Sequence, residues 1–143
     1  MEKLNFKNNI KKYCINGDEN CIISVNTTDY AILDRIKKSI NIIESLSEEY
    51  KDKKINNDDE ANEVFVSADL KIREQINYIF NSDVCTSAFG NTNCLSLCDD
   101  GSTLFENFIN AVVPIIKKDI TEAQKKQEKH IERYTSQAKK FSR

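Results

Sequence analysis

Apolar residues recur at the spacing of one helix face in two long segments of the chain. The first pattern predicts a helix from about Thr28 to Tyr50, and the second a helix from about Asp59 to Phe80. The polar segment 51–60 is expected to be the loop that joins them. The first predicted stripe consists of Leu33, Ile36, Ile40, Ile43 and Tyr50, widened by Ile32, Ile42 and Leu46. The second consists of Phe65, Ala68, Ile72, Ile76 and Ile79, with Leu70 and Phe80 beside it.

A third, strongly apolar helix is predicted to begin at Ser102 or Thr103. Thr103 and Glu106 have the spacing of a capping box, which satisfies free amides at a helix start. The apolar residues that follow are Leu104, Phe105, Phe108, Ile109, Ala111, Val112, Ile115 and Ile116. They cover too wide an arc for contact with one neighbour, so we expect this helix to be central in a bundle. Pro114 is expected to kink it.

Shorter elements precede these helices and connect them. The segments 13–15 and 21–25 favour β-structure, and Asn16-Gly17 between them predicts a hairpin turn. If Ile15 faces Cys21, then Tyr13 faces Ile23 and Lys11 faces Val25. One face of the hairpin then carries Tyr13, Ile15, Cys21, Ile23 and Val25, ready to cover a helix. Further along, a short helix capped by Ser82 or Asp83 is expected to end at Phe89-Gly90, followed by a loop from 91 to 101.

The composition changes after Ile116. Residues 117–143 are rich in Lys, Gln and Glu, with sparse apolar residues that include Ile131, Tyr134 and Phe141. High helix propensity favours an extended helical arm used for assembly, and a frayed tail is the alternative. The sequence therefore predicts a mainly α protein in which a small N-terminal β-hairpin packs on a helical bundle with an extended C-terminal helix. We divide it into a core domain, 1–116, and a basic arm, 117–143.

Size and charge narrow the class of protein. The 143 residues are 39% apolar and 31% charged, which supports one modest core. We expect a cytoplasmic protein, because we find no signal peptide and no run long enough to span a bilayer. Residues 117–143 carry nine basic and four acidic residues, net +5, whereas residues 1–116 carry 12 and 19, net −7. These opposite charges either keep the chain solvated or attract neighbouring subunits in a homo-oligomer.

Residues with catalytic or ligand-binding potential are sparse. The five cysteines include no CxxC pair and have no nearby histidine, so their spacing is not that of a common zinc site, and we expect them to pack as free thiols. His130 lies in the polar tail, and the acidic pairs at 58–59 and 99–100 lack calcium-loop spacing. The basic tail accompanies no base-reading module. We therefore expect a protein that is not an enzyme, with no catalytic residue, metal, cofactor, nucleic-acid partner or membrane.

The segment around the third helix resembles small tail proteins of phages and prophages of low-GC Gram-positive bacteria. The shared features are a short helix that ends in Phe89-Gly90, a polar loop, and an apolar helix with Phe105, Phe108, Ala111 and Pro114. The Asn16-Gly17 hairpin and the segment from Asn26 to Asp29 are also similar. The resemblance extends loosely over residues 13–134, and the cysteines around the loop do not belong to it.

This resemblance implies a tail assembly chaperone, which binds the long helical tape-measure protein and recruits tail-tube subunits in the bacterial cytoplasm. The residues that we expect to bind partners are Leu104, Phe105, Phe108, Val112 and Ile115 on the third helix, and Ile131, Tyr134 and Phe141 on the arm. Two alternatives remain open. The first is a permanent component of a phage tail or of a phage-like bacteriocin particle. The second is a helical interaction or inhibitor module.

Overall fold

The structure, a computed structural model, describes residues 1–141, except for the side chains of residues 51 and 139–141. A two-stranded hairpin precedes four helices, which account for 61% of the chain. The elements are β1 (Ile10–Ile15), β2 (Asp18–Asn26), α1 (Ala31–Asp52), α2 (Asp58–Phe80), α3 (Cys85–Phe89) and α4 (Leu104–Phe141). This order confirms the predicted mainly α fold with an N-terminal hairpin and a long C-terminal helix.

The hairpin turns on two residues. Asn16 and Gly17 have φ angles of 51° and 79°, and such positive angles suit a tight connection between twisted strands. The predicted pairs Tyr13–Ile23 and Lys11–Val25 are confirmed. The predicted pair of Ile15 with Cys21 is wrong: Ile15 pairs with Asp18, because the tight turn extends β2 back to Asp18 and a bulge absorbs the change in register.

The face of the hairpin that was predicted to be apolar does cover the helices. Ile23 and Val25 on β2 are buried in the core, and Tyr13 and Ile15 on β1 pack against it. Two hydroxyls from the α2–α3 region hold the outer edge of β2. Ser82 and Ser87 donate hydrogen bonds to the carbonyls of Ser24 and Ile22, over 3.3 and 3.0 Å.

The first helix begins at Ala31, later than predicted, because the Asp29 carboxylate accepts from the Ala31 amide at 2.9 Å. Its buried side also differs from the predicted stripe. Ile32 and Ser39 are buried, whereas Leu33 and Ile40 remain 46% and 48% exposed. Ile42 is exposed as well.

The second helix begins at Asp58, where the Asn57 side chain accepts from the Glu60 amide. Ala68, Ile72, Ile76 and Ile79 are buried as predicted. Two other predicted stripe members are on the outside of the molecule, because Phe65 is 53% and Leu70 57% exposed. Val64, which precedes Phe65 in the sequence, is buried instead.

The core lies where α4 passes between the α1–α2 pair and the hairpin. Thr103 and Glu106 form the predicted capping box at the start of α4, although the helix itself begins at Leu104. Pro114 lies inside α4, which continues to Phe141 without a break at the proposed domain boundary. Ile116 and Ile120 are buried, whereas every side chain from 124 to 138 is exposed. The predicted kink at Pro114 stays a prediction.

Candidate functional site

A groove between the hairpin and α4 is the main concave apolar surface near the predicted site. This hairpin groove has a volume of about 300 Å³. Its lining comes from three elements and is mostly apolar: Tyr13, Ile15 and Ile23 from the hairpin, Ala88 and Phe89 from α3, and Leu104, Phe108, Ala111, Val112 and Ile115 from α4. The volume is at the lower end of the range of ligand pockets. It suits a few apolar side chains of a larger partner.

Packing of aromatic rings makes the floor of the hairpin groove rigid. The ring of Phe108 lies edge-on to Phe80, with centroids 5.9 Å apart, and edge-on to Phe89 at 5.7 Å. Such edge-to-face pairs are the favoured aromatic geometry. Val112 is also buried, while Ala111 at the groove's rim is exposed. The floor is therefore preformed and the rim is accessible.

Phe105 does not belong to this groove, although we expected it to bind partners together with the other predicted α4 residues. It lines a separate cavity of about 130 Å³ between α4 and the α1–α2 pair. Ile43, Ile79 and Phe80 lie in the same lining. The wide apolar arc of α4 is thus explained by two neighbours on different sides of the helix. Of the α4 residues predicted to bind partners, the hairpin groove brings together four: Leu104, Phe108, Val112 and Ile115.

The predicted arm residues are far along α4 from this groove. Ile131 and Tyr134 are 54% and 72% exposed on the helix beyond the body. The side chain of Phe141 lies outside the described residues. The arm and the groove are therefore separate surfaces, and we treat them separately.

A polar clamp joins the hairpin to α4. The carboxylate of Asp119 accepts hydrogen bonds from Lys11 Nζ at 2.8 Å and from the buried Thr27 Oγ1 at 2.5 Å. Both bonds lower the pKa of Asp119, and the bond from Lys11 has the larger effect. Nothing in the sequence pattern pointed to Asp119, because the pairing joins residues that are far apart in the chain.

A second polar cluster holds the loop that leads into α4. Arg73 donates to Asp69 at 3.0 Å and to the carbonyls of Gly90 and Thr92 at 3.0 and 2.6 Å. Asp69 also accepts from the Cys94 amide at 2.8 Å. Partial burial opposes ionisation of Asp69, but the Cys94 and Arg73 bonds outweigh it and lower the pKa of that carboxyl. The loop is thus fastened to α2 before α4 begins.

The thiols in the core are poor nucleophiles. Burial raises the pKa of Cys85 and of Cys94 to about 12, whereas a reactive thiol needs a lowered pKa. All five cysteines are free, and His130 is exposed on the arm. Among the residues that the structure describes, no three His, Cys, Asp or Glu side chains form a group that could hold a metal ion.

The sequence predictions missed two parts of the hairpin groove, its rim at Ala111 and its wall on α3. The apolar hairpin face was a usable signal, since it had to cover some helix.

None of the helices described in residues 1–141 has an apolar stretch long enough to cross a bilayer. No protein family, curated protein or solved structure matches this chain.

Proposed function

We propose that this protein is a non-enzymatic tail assembly chaperone that binds the tape-measure protein and recruits tail-tube subunits in the host cytoplasm. The observation that carries the proposal is the hairpin groove, together with the sequence resemblance around α4. Its apolar lining and accessible rim suit the apolar face of a helix in a long helical guest. The raised thiol pKa values support a binding role over a nucleophilic one.

Binding in this mode needs only side chains of the guest to enter the groove. A helix presents apolar residues at intervals of three and four, and these would insert between the hairpin and α4. The floor at Phe108 is already packed, so binding requires little rearrangement. The exposed rim at Ala111 is the place where a bulky substitution blocks entry without removing core contacts.

The test is co-expression of the full chain with the long helical protein that is encoded nearest to it. We expect the chain to raise the soluble fraction of that protein and to co-purify with it. The variant Ala111→Arg places a charged side chain at the rim and should weaken co-purification by about tenfold or more, because burying an unpaired charge is costly. Quantified pull-down and light scattering measure both effects.

The matched control is Asn110→Arg, which adds the same charge at an exposed neighbouring position outside the groove lining. It should bind like the unmodified chain, and circular dichroism should show both variants folded. Equal binding by Ala111→Arg and the unmodified chain contradicts groove binding. Failure of the unmodified chain to bind or solubilise the long protein contradicts the chaperone function itself.

Gene order and particle composition discriminate the remaining alternatives. A tail-tube gene before this one and a gene for a very long helical protein after it support the chaperone function. A finished tail or bacteriocin particle that contains the chain at defined stoichiometry favours a permanent structural component. A tight one-to-one complex with a bacterial enzyme favours an inhibitor.

A further inference from the structure

The two charged poles of the sequence lie at opposite ends of the molecule. α1 and α2 are antiparallel, since Arg35 donates to the Ile79 carbonyl near one end and Tyr50 donates to Ser67 near the other. α4 runs antiparallel to α1, because Thr27 before α1 binds Asp119 well along α4, whereas Phe105 at the start of α4 lines a cavity with Ile43 further along α1. The α1–α2 connection is thus at the end of the molecule where α4 begins, and the arm leaves from the opposite end.

The charges at these two ends are equal and opposite. Residues 44–63, around the α1–α2 connection, contain eight acidic and three basic residues, net −5. Residues 124–143 contain seven basic and two acidic residues, net +5. Because the two poles are at opposite ends, a single copy cannot bring them together. Two copies in head-to-tail order can.

The arm offers an uncovered apolar stripe with basic residues beside it. By helical spacing, Ile131 and Tyr134 continue the line of the buried Ile116 and Ile120 along α4. No described part of the chain covers Ile131 or Tyr134, which are 54% and 72% exposed. The arm extends about 27 Å beyond residue 123, at about 1.5 Å per residue. Because every side chain from 124 to 138 is exposed, this stretch lacks the tertiary contacts from which most helices in proteins gain their stability.

The outer face of α2 is the acidic counterpart. Val66 and Leu70 are 58% and 57% exposed there, one turn apart. Glu63 and Glu74 share the surface with them. Lys71 is at its edge, with its ammonium group 5.7 Å from the centroid of the Tyr50 ring.

The exposed apolar residues of α1 are a poorer match for a basic arm. Leu33 and Ile40 lie on the same helical face as Lys37 and Glu44, whose charges cancel. The α2 surface carries two carboxylates, Glu63 and Glu74, against one ammonium group at its edge, so it attracts a basic arm more strongly. The arm therefore matches α2 in both charge and apolar spacing.

We infer that the arm of one copy packs on the outer face of α2 of a second copy, with Ile131 and Tyr134 against Val66 and Leu70. Lys126 and Arg133 of the arm face Glu63 and Glu74 of the second copy. This contact joins two different surfaces, so it is repeated at each free end and builds a chain or ring of copies. The contact goes beyond the proposed function and does not depend on what occupies the hairpin groove.

Salt provides the first test, on the full chain. We expect the mass measured by sedimentation to exceed that of one copy at an ionic strength of about 0.01 M. It should fall at about 1 M, where the Debye length shortens from about 30 Å to about 3 Å. A monomer at every salt and protein concentration overturns the inference. So does an oligomer whose mass is unchanged by salt.

Charge reversal provides the second test. Lys126→Glu with Arg133→Glu on the arm, or Glu63→Lys with Glu74→Lys on α2, should weaken self-association by about tenfold or more. A chain that carries all four changes should associate again. All four side chains are exposed, so the substitutions leave the core intact.

The control reverses Lys125 and Lys129, which lie on the arm away from the apolar stripe and give the same change in net charge. This control should associate more strongly than the Lys126 and Arg133 variant. Equal weakening by the two arm variants, or no recovery in the fourfold variant, overturns the arm–α2 contact. Ala111→Arg should self-associate like the unmodified chain, so failure of guest binding is distinguishable from failure of this interface.

Discussion

At the scale of single residues, Asp119 of α4 connects two segments that are distant in the sequence. Its carboxylate accepts from Lys11 on β1 and from Thr27 between β2 and α1. The side chain of Asp119 is 11% exposed, whereas that of Lys11 is 46% exposed. Exposed ion pairs contribute little to the free energy of unfolding. We therefore attribute the stabilisation at this clamp to hydrogen bonds with the sheltered carboxylate of Asp119 more than to the charge of the exposed Lys11.

The variant Asp119→Asn should lower the free energy of unfolding by about 1–2 kcal/mol at neutral pH, since it removes a charged hydrogen-bond acceptor. The folded pKa of Asp119 is below its ordinary value. Its contribution is therefore present above the unfolded pKa of about 3.9 and is lost as pH falls through the lower folded pKa. The difference between variant and unmodified chain should shrink as the pH falls below about 4, as measured by urea unfolding.

Asp34→Asn is the matched control for this prediction. Asp34 pairs with Lys38 one turn along α1, and both side chains are more than half exposed. Its loss should change the free energy of unfolding by no more than about 0.5 kcal/mol. A difference at Asp119 that persists unchanged at the lowest pH would show that its charge is not the source of the stabilisation.

At the scale of elements, the loop before α4 depends on one guanidinium. Arg73 contacts Asp69 on its own helix and two carbonyls of the loop, those of Gly90 and Thr92. Its planar fork of donors suits several acceptors at once. The loop in turn sets the start of α4, where the Phe105 amide donates to the Cys94 carbonyl at 3.0 Å.

Arg73→Lys should loosen this loop without unfolding α2, because an ammonium group cannot reproduce the fork. We expect the amides of Cys94 and Phe105 to exchange with solvent faster, by an opening free energy about 1–3 kcal/mol lower. Hydrogen exchange followed by NMR measures this. Hairpin amides such as that of Tyr13 serve as the internal control, and uniform acceleration across the chain would contradict a local role.

The sequence pattern predicted the elements well and their buried sides less well. The capping box at Thr103 and the turn at Asn16-Gly17 are local features, so they could be read directly. On α1, several adjacent isoleucines satisfy more than one helical stripe, and hydrophobicity alone could not choose Ser39 as a buried position over Ile40. Only the position of α2 and α4 decides which side is covered.

The candidate site shows the same division between local and non-local information. The sequence identified most of the α4 residues in the hairpin groove, including Phe108 and Val112, because they form a strong apolar helix. It did not separate Phe105 from them, since that requires knowing that α4 has a neighbour on each side. The clamp at Asp119 depends on contacts between distant segments, which a period of 3.6 residues does not encode.

At the scale of the whole molecule, the boundary of the folded body lies beyond the compositional change at Ile116. Asp119 and Ile120 belong to the core, because the first binds the hairpin and the second is 9% exposed. Ala123 is half-buried, and the side chains from 124 to 138 are all exposed. The body therefore uses the first turns of the basic segment, and the arm proper begins at residue 124.

Two truncations test this boundary. A chain ending at Ala123 should keep the unfolding free energy of a single copy within about 0.5 kcal/mol, because it removes exposed side chains. A chain ending at Ile116 should lose about 2.5–5 kcal/mol, since burial of an isoleucine contributes about 1.5–3 kcal/mol and the Asp119 bonds about 1–2 kcal/mol. Urea unfolding at several protein concentrations separates this loss from stabilisation by self-association, which depends on concentration. Equal stability of the two truncated chains would place the end of the body at Ile116, and a large concentration-independent loss on cutting at Ala123 would show that the arm packs on its own body.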